Sequence, residues 1–235
     1  MKNECNYLCC GYTTGELITI YTNAAKLHNM ELMYVSTLPN FKEFTFDQAF
    51  SASLNFCSFA YSNINVNSII SKEDATALFN EILELTNKNT LGEFAEILYK
   101  KGLLTTVQKS FLIQILNTLN LFQAEKPELV VASMYGLQNN MLGRTDVPLE
   151  EKALMIGMSC IAIATVEFWA DAYSDKNNPW HSSALKALPY WLRKGGADLL
   201  GFAAGAAVGF FIGGPVVSAA GGTLVGGACS NAIKE

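Results

Sequence analysis

"GFAAGAAVGFFIGGPVVSAAGGTLVGGACSNAI", residues 201–233, decides how the rest of the chain is read. It contains no Lys, Arg, Asp, Glu or His. Gly201, Gly205, Gly209 and Gly213 recur at every fourth position, which in a helix places them on one slowly drifting face. Ser218, Gly222, Gly226 and Ser230 repeat the spacing after Gly214 and Pro215, where a helix must break. The pattern predicts a helical hairpin in which a glycine face meets a small-residue face. Glycine in a water-exposed helix costs about 0.8 to 1.0 kcal/mol against alanine, so this register suits close backbone approach and not a free-standing helix. At 1.5 Å per residue the arms 199–213 and 216–233 reach roughly 22 Å and 27 Å, both marginal against a ~30 Å hydrocarbon layer.

Upstream of the hairpin, "SDKNNPWHSS" (174–183) is polar, carries an Asn-Pro turn signal and reads as a linker. The next stretch, "ALKALPYWLRKGG" (184–196), sets Tyr190 and Trp191 beside Arg193 and Lys194. That grouping suits a membrane interface, with rings at the boundary and cations toward phosphate.

Further back, helix starts recur. Thr13 with Glu16, Ser71 with Asp74, Thr90 with Glu93 and Thr105 with Gln108 each place a cap residue three positions before a side chain able to reach back. Apolar residues from Leu17 to Leu38 follow a helical period up to Pro39. Val107 to Phe122 reads as another helix. Pro127 opens a segment closed by Gly143, and Pro148 opens the longest pattern, to about Tyr173. Within it, residues 153–166 are uncharged; their roughly 21 Å falls short of a bilayer and predicts a central core helix. Apart from ambiguous short runs such as Leu17 to Tyr21, no segment holds the two-residue alternation of a half-buried strand. The fold expected is all-α: a multi-helix bundle over residues 1–174 that folds without the tail, a linker with a short aromatic and basic helix over 175–196, and a glycine-rich helical hairpin over 197–235.

Composition narrows the function. Half of the 235 residues are hydrophobic and only 16% are charged, below the usual quarter, so the chain avoids charge. Sixteen basic against twenty-one acidic residues give a net charge of −5, and the basic residues form no stripe, which argues against nucleic acid as a partner. The start "MKNECNYLCCGYTTGEL" lacks the apolar core and cleavage site of a Sec signal peptide, so synthesis is expected to finish in the cytoplasm, with membrane association or export by another route left open. Cys5, Cys9, Cys10, Cys57, Cys160 and Cys229 form no C-x-x-C pair and read as reduced thiols; with His28 the first three lack zinc-ligand spacing.

Catalytic equipment is sparse: no phosphate loop, dinucleotide fingerprint, zinc-protease pair or nucleophile elbow is present. His28 lies on the apolar face of the first helix and reads as a core histidine, and His181 as a cap for the segment it opens. Glu167 and Asp171, one turn apart, read as a solvated patch. The chain is expected not to be an enzyme, and no catalytic, cofactor or metal residue and no small-molecule substrate is assigned.

The tail resembles glycine-zipper peptides of the bacteriocin type, and "RKGGADLLG" (193–201) resembles the double-glycine junction that precedes some of them. With "KLHNMELMYV" (26–35) and "NNPW" (177–180), the chain as a whole resembles uncharacterised bacterial helical proteins. The small-residue register assigns a helix-packing or membrane role to Gly201, Gly205, Gly209, Gly213, Ser218, Gly222 and Gly226, with lipid or another small-residue helix, including a second copy, as partner, and the resemblance to the bacterial helical proteins implies no activity. Two functions follow: a membrane-associated or membrane-active protein that uses the hairpin for packing, insertion or oligomerisation, and a soluble helical interaction protein that buries the hairpin in its core.

Overall fold

The computed structural model describes residues 11–88, 91–120, 126–185 and 188–233. It is all-α, with no strand among the described residues. The helices are α1 (Thr14–Ser36), α2 (Phe46–Ala60), α3 (Lys72–Lys88), α4 (Leu91–Lys100), α5 (Thr106–Asn120), α6 (Pro127–Gly143), α7 (Leu149–Ser174), α8 (His181–Ala184) and α9 (Leu188–Ala232). Short 3-10 turns at Phe41–Glu43 and Val66–Ser68 flank α2.

Caps fix where the helices begin. Thr13 accepts from the Glu16 backbone N–H at 3.2 Å while the Glu16 carboxylate accepts from the Thr13 N–H at 2.7 Å, so two otherwise orphaned donors are satisfied reciprocally. Thr105 with Gln108 acts alike at α5, and at α3 Ser71 accepts from the Asp74 N–H while its hydroxyl donates to the Asp74 carboxylate. Thr45 and Gln48 form a further box that starts α2. Pro127 sits in the first turn of α6, where its missing N–H costs nothing. Thr90, like Cys5, Cys9 and Cys10, lies outside the described residues.

Two elements make the centre. The apolar run of α7 has no polar face, and such a helix must be covered on all sides; Ala153 to Val166 are all buried. Beside it lies α9, broken at Gly213 and Gly214 into two arms that fold back on each other. Gly214 has φ 75°, a left-handed conformation that a side chain would strain, and Pro215 then starts the second arm without needing an N–H partner. Helix α1 packs on both α7 and α9, α2 and α3 cover the hairpin, and α5 and α6 cover α7, with α4 against α3 and α5. The core is continuous: Tyr21 of α1, Ile156 of α7 and Phe202 and Leu224 of α9 belong to one cluster. The hairpin is therefore the middle of the bundle and not an appendage to it.

The polar stretch after α7 is tied down as well. Asp175 and Asn178 side chains accept from the Asn177 and Trp180 N–H groups, closing a turn that inserts Trp180 into the core, where its indole N–H donates to the Leu32 carbonyl at 3.1 Å. Instead of capping the segment it opens, His181 reaches back, its Nδ1 standing 2.9 Å from the Ala172 carbonyl of α7.

Candidate functional site: a buried hairpin with a polar base

The two arms meet through backbone. A Cβ added at Gly205 would run into the Gly221 carbonyl, and one added at Gly221 would meet the Gly205 carbonyl at 2.5 Å. Gly209 faces Val217 and Ser218, and Gly201 faces Val225 and Gly226. The first-arm glycines lie in the contact, and the surface they meet runs through the Val217, Gly221 and Val225 carbonyls together with the Ser218 and Gly226 Cα atoms, so it falls between the row of Val217, Gly221 and Val225 and the row of Ser218, Gly222 and Gly226. Val217 and Val225 bring backbone carbonyls into the contact while their side chains pack on Gly213 and Gly205, so in sequence their row carries a single glycine and is hidden. Gly222 makes room for the Phe202 ring, Gly226 lies against Asp198 and Phe202, and Gly213 packs on Val217 across the break. Ser218 turns away from the first arm and accepts from the Tyr21 hydroxyl of α1 at 2.9 Å.

At the base of the hairpin the chemistry changes from apolar to ionic. Lys194 and Asp198, one turn apart on the first arm, and His28 and Glu31, one turn apart on α1, are all at most 2% exposed. His28 Nε2 stands 3.3 Å from an Asp198 carboxylate oxygen, and the Trp169 indole donates to the other at 3.1 Å. Lys194 donates to the Ser230 carbonyl of the second arm at 2.9 Å and lies over the Trp180 ring, 4.6 Å from its centre. Glu31 projects into the notch left by Gly227, so close that a Cβ there would overlap its carboxyl group.

Burial pushes the Glu31 carboxyl up to about 8, against a smaller pull from His28, so it is mostly protonated at neutral pH. Burial pulls the His28 imidazole down, but Asp198, with Glu31 and Asn29, outweighs it and leaves His28 above its ordinary value. A His28–Asp198 pair and a neutral Glu31 are what a dry interior tolerates. Ser53 is buried beside the Glu31 carboxyl, and Asn231 is buried too, with no hydrogen bond to its side chain among the described residues.

These four ionisable side chains are shut away from solvent and fasten α1 to both arms. Lys194, expected at a membrane interface, is buried here, donating to Ser230 and lying over the two tryptophan rings; burial pulls its ammonium down to about 7, against a smaller opposing pull from Asp198. The side chains of Tyr190, Trp191 and Arg193 lie outside the described residues. Gly195 and Gly196 are buried within α9. Among the described residues no group of three His, Cys, Asp or Glu side chains could hold a metal ion.

The opposite end of the hairpin is exposed. Phe211 and Ile212 are each more than half exposed and Val216 more than a third. Beside them, a cavity of about 430 Å³ separates Phe210 and Phe211 from Leu103 and Leu104 of the α4–α5 turn. By length and composition α7 and residues 194–232 could each cross a membrane, yet 89% of the most apolar stretch of α7 is buried in protein, as a core helix is. No family model, curated protein or solved structure matches the chain, so the functional reading rests on the geometry of the hairpin, its apolar tip and its polar base.

Proposed function

We propose that the protein is a non-enzymatic, membrane-active helical protein, that the form described here is its closed state, and that the hairpin Leu199–Ile233 is the element it commits to a bilayer. One observation carries this reading: the hairpin itself is uncharged, has Lys194 and Asp198 buried at its base and presents bare Phe211, Ile212 and Val216 at its tip. A tip of this kind enters lipid first. Once α1, α2, α3 and α7 withdraw, each arm still satisfies its own backbone hydrogen bonds, and the Gly205–Gly221 contact holds the arms together where water no longer drives association. Tyr190, Trp191, Arg193 and Lys194 would then lie at headgroup level. Arms of roughly 22 to 27 Å suit a shallow or locally thinned crossing.

The other reading, a soluble interaction protein that never releases the hairpin, draws support from two hydroxyl contacts. Tyr21 to Ser218, and Tyr61 to Thr223 at 3.0 Å, tie the second arm to α1 and just beyond α2, and lipid could not replace either.

Co-flotation with anionic vesicles and release of a trapped dye from them test the proposal. The full chain should float and release dye, and Phe211→Asp with Ile212→Asp should abolish both without lowering the melting temperature, since both side chains are exposed. A wild-type chain that neither floats nor releases dye overturns the proposal in favour of the soluble reading.

A further inference from the structure

Far from the hairpin tip, the C-terminal ends of α1 and α7 frame an open groove of about 750 Å³. Its walls are the kind of surface that partners cover. Met30, Met33 and Tyr34 of α1 are each more than a third exposed, Phe168 of α7 forms the buried floor, and Phe56 of α2 packs on Tyr34 with ring centres 5.7 Å apart. Methionine and aromatic side chains gathered in this way are enriched at the centres of interfaces.

The groove is negative for three separate reasons. Glu167 and Asp171 line it one turn apart on α7, and neither forms an ion pair among the described residues. Like charges at that spacing cost a helix a few tenths of a kcal/mol, a cost that a cation would reverse. Helix α1 ends at Ser36 within the groove, so its final carbonyls add partial negative charge, and no basic residue offsets them in its last turn. The same holds for α7, which ends at Ser174 just past Asp171. Partial burial, and then the neighbouring Asp171, raise the Glu167 carboxyl above its ordinary value, as a pair lacking its counter-charge would show.

We infer that this groove is a docking site for a basic amphipathic helix of another protein, which lays an apolar stripe on Met30, Met33, Tyr34 and Phe56 and sets two Lys or Arg side chains, one turn apart, against Glu167 and Asp171. A helix fits because both features of the groove repeat at one-turn spacing: the acids along α7 and the apolar positions along α1. A compact organic cation would fill one acid and one ring and leave the methionine stripe bare. A second copy of this acidic chain would bring net like charge to the site. The inference does not depend on membrane insertion.

The probe is a fluorescent helical peptide of about four turns with leucines on one face and two lysines one turn apart beside them, titrated against the full chain and followed by anisotropy. Glu167→Gln with Asp171→Asn should weaken binding roughly tenfold, the scale expected when two partly exposed charge pairs are lost. Met33→Glu should abolish binding, with circular dichroism confirming that each variant is folded. Glu73→Gln with Glu128→Gln removes the same charge from exposed sites elsewhere and should bind like wild type. Equal binding to the groove and control variants, equal binding of a peptide with glutamates for its lysines, or no binding overturns the inference. So does self-association of the chain that Met33→Glu abolishes, since the groove would then belong to a second copy.

Discussion

Glu31 and Gly227 share one volume: the carboxyl group at the end of one occupies the place where the other would carry a side chain. Because α1 supplies the acid and the second arm of α9 supplies the vacancy, the contact reports on attachment of the hairpin to the body and not on the hairpin itself. Gly227→Ala should therefore destabilise the fold by roughly 2 kcal/mol, in the range of core overpacking. In a Glu31→Ala background the same change should cost far less, since nothing then stands in the space. Urea melts of the four proteins in this cycle measure the coupling, and additive effects would show that the two residues do not compete for one site.

The pH dependence of stability should run opposite to that of an acid-triggered protein. An unfolded Glu31 ionises near 4.5, whereas the folded one holds its proton to about 8, so across that window the native state binds a proton the unfolded chain has released. Stability then falls as pH rises from about 5 to 7, with a slope approaching ~1.4 kcal/mol per pH unit, and above about 7 Lys194, lowered by burial, acts in the opposite sense. His28, raised above its ordinary 6.5, acts in the same sense as Glu31: its contribution is complete below 6.5 and is lost as pH rises through its folded value. Wild type should be more stable at pH 5 than at pH 6.5, and Glu31→Gln should remove most of that difference. A Glu31→Gln protein with an unchanged slope would place the titration elsewhere.

Glycines of the same chain should respond to alanine with opposite signs. Gly205→Ala drives a methyl group into the Gly221 backbone, which cannot rotate away, and should lower stability by about 2 kcal/mol or more. Gly136 on α6 has open space where its Cβ would stand, so Gly136→Ala should raise stability by up to ~1 kcal/mol through helix propensity alone. Thermal melts of the two variants side by side check the packing; a neutral Gly205→Ala would remove the close approach of the arms.

A chain ending at Gly195 should not fold. The hairpin fills the space between α1, α2, α3 and α7, so its removal uncovers the apolar faces of four helices at once. The expectation is an aggregating or molten product with weak near-ultraviolet circular dichroism, and a monomeric, cooperatively melting body would show that the remaining helices close over the gap.

Much of the architecture was legible because it is written locally. Caps three residues apart, Pro127 in a first turn, Pro148 before the longest apolar run and Gly214–Pro215 between two small-residue registers each state a boundary within a few positions. Thr45 and Gln48 carry the same signal, yet α2 drew no expectation of its own; the box was legible and went unread. The polar base was illegible for a different reason. His28 and Glu31 meet Lys194 and Asp198 across more than 150 residues, and nothing in either segment names the other. Lys194 beside Trp191 looks like an interface anchor until Trp180 and Ser230 are brought beneath it, and Trp180 itself is set in the most polar stretch of the chain. Gly221 was missed because the contact row it belongs to is otherwise valine at the facing positions.

The hairpin also comes late. Every helix that covers it precedes it in the chain, and the Tyr21–Ser218 bond closes a loop of 197 residues. A ribosome therefore exposes α1, α2, α3 and α7, apolar faces open, for the whole interval before their shared centre exists. At about 5 to 20 residues per second that interval lasts several seconds at least, long enough for those faces to find chaperones or one another. Contacts of such long range also slow folding in proportion to the chain that must be gathered. The body waits for its core to be made, and the segment that completes it, uncharged from residue 201 to residue 233, emerges only after every helix that covers it.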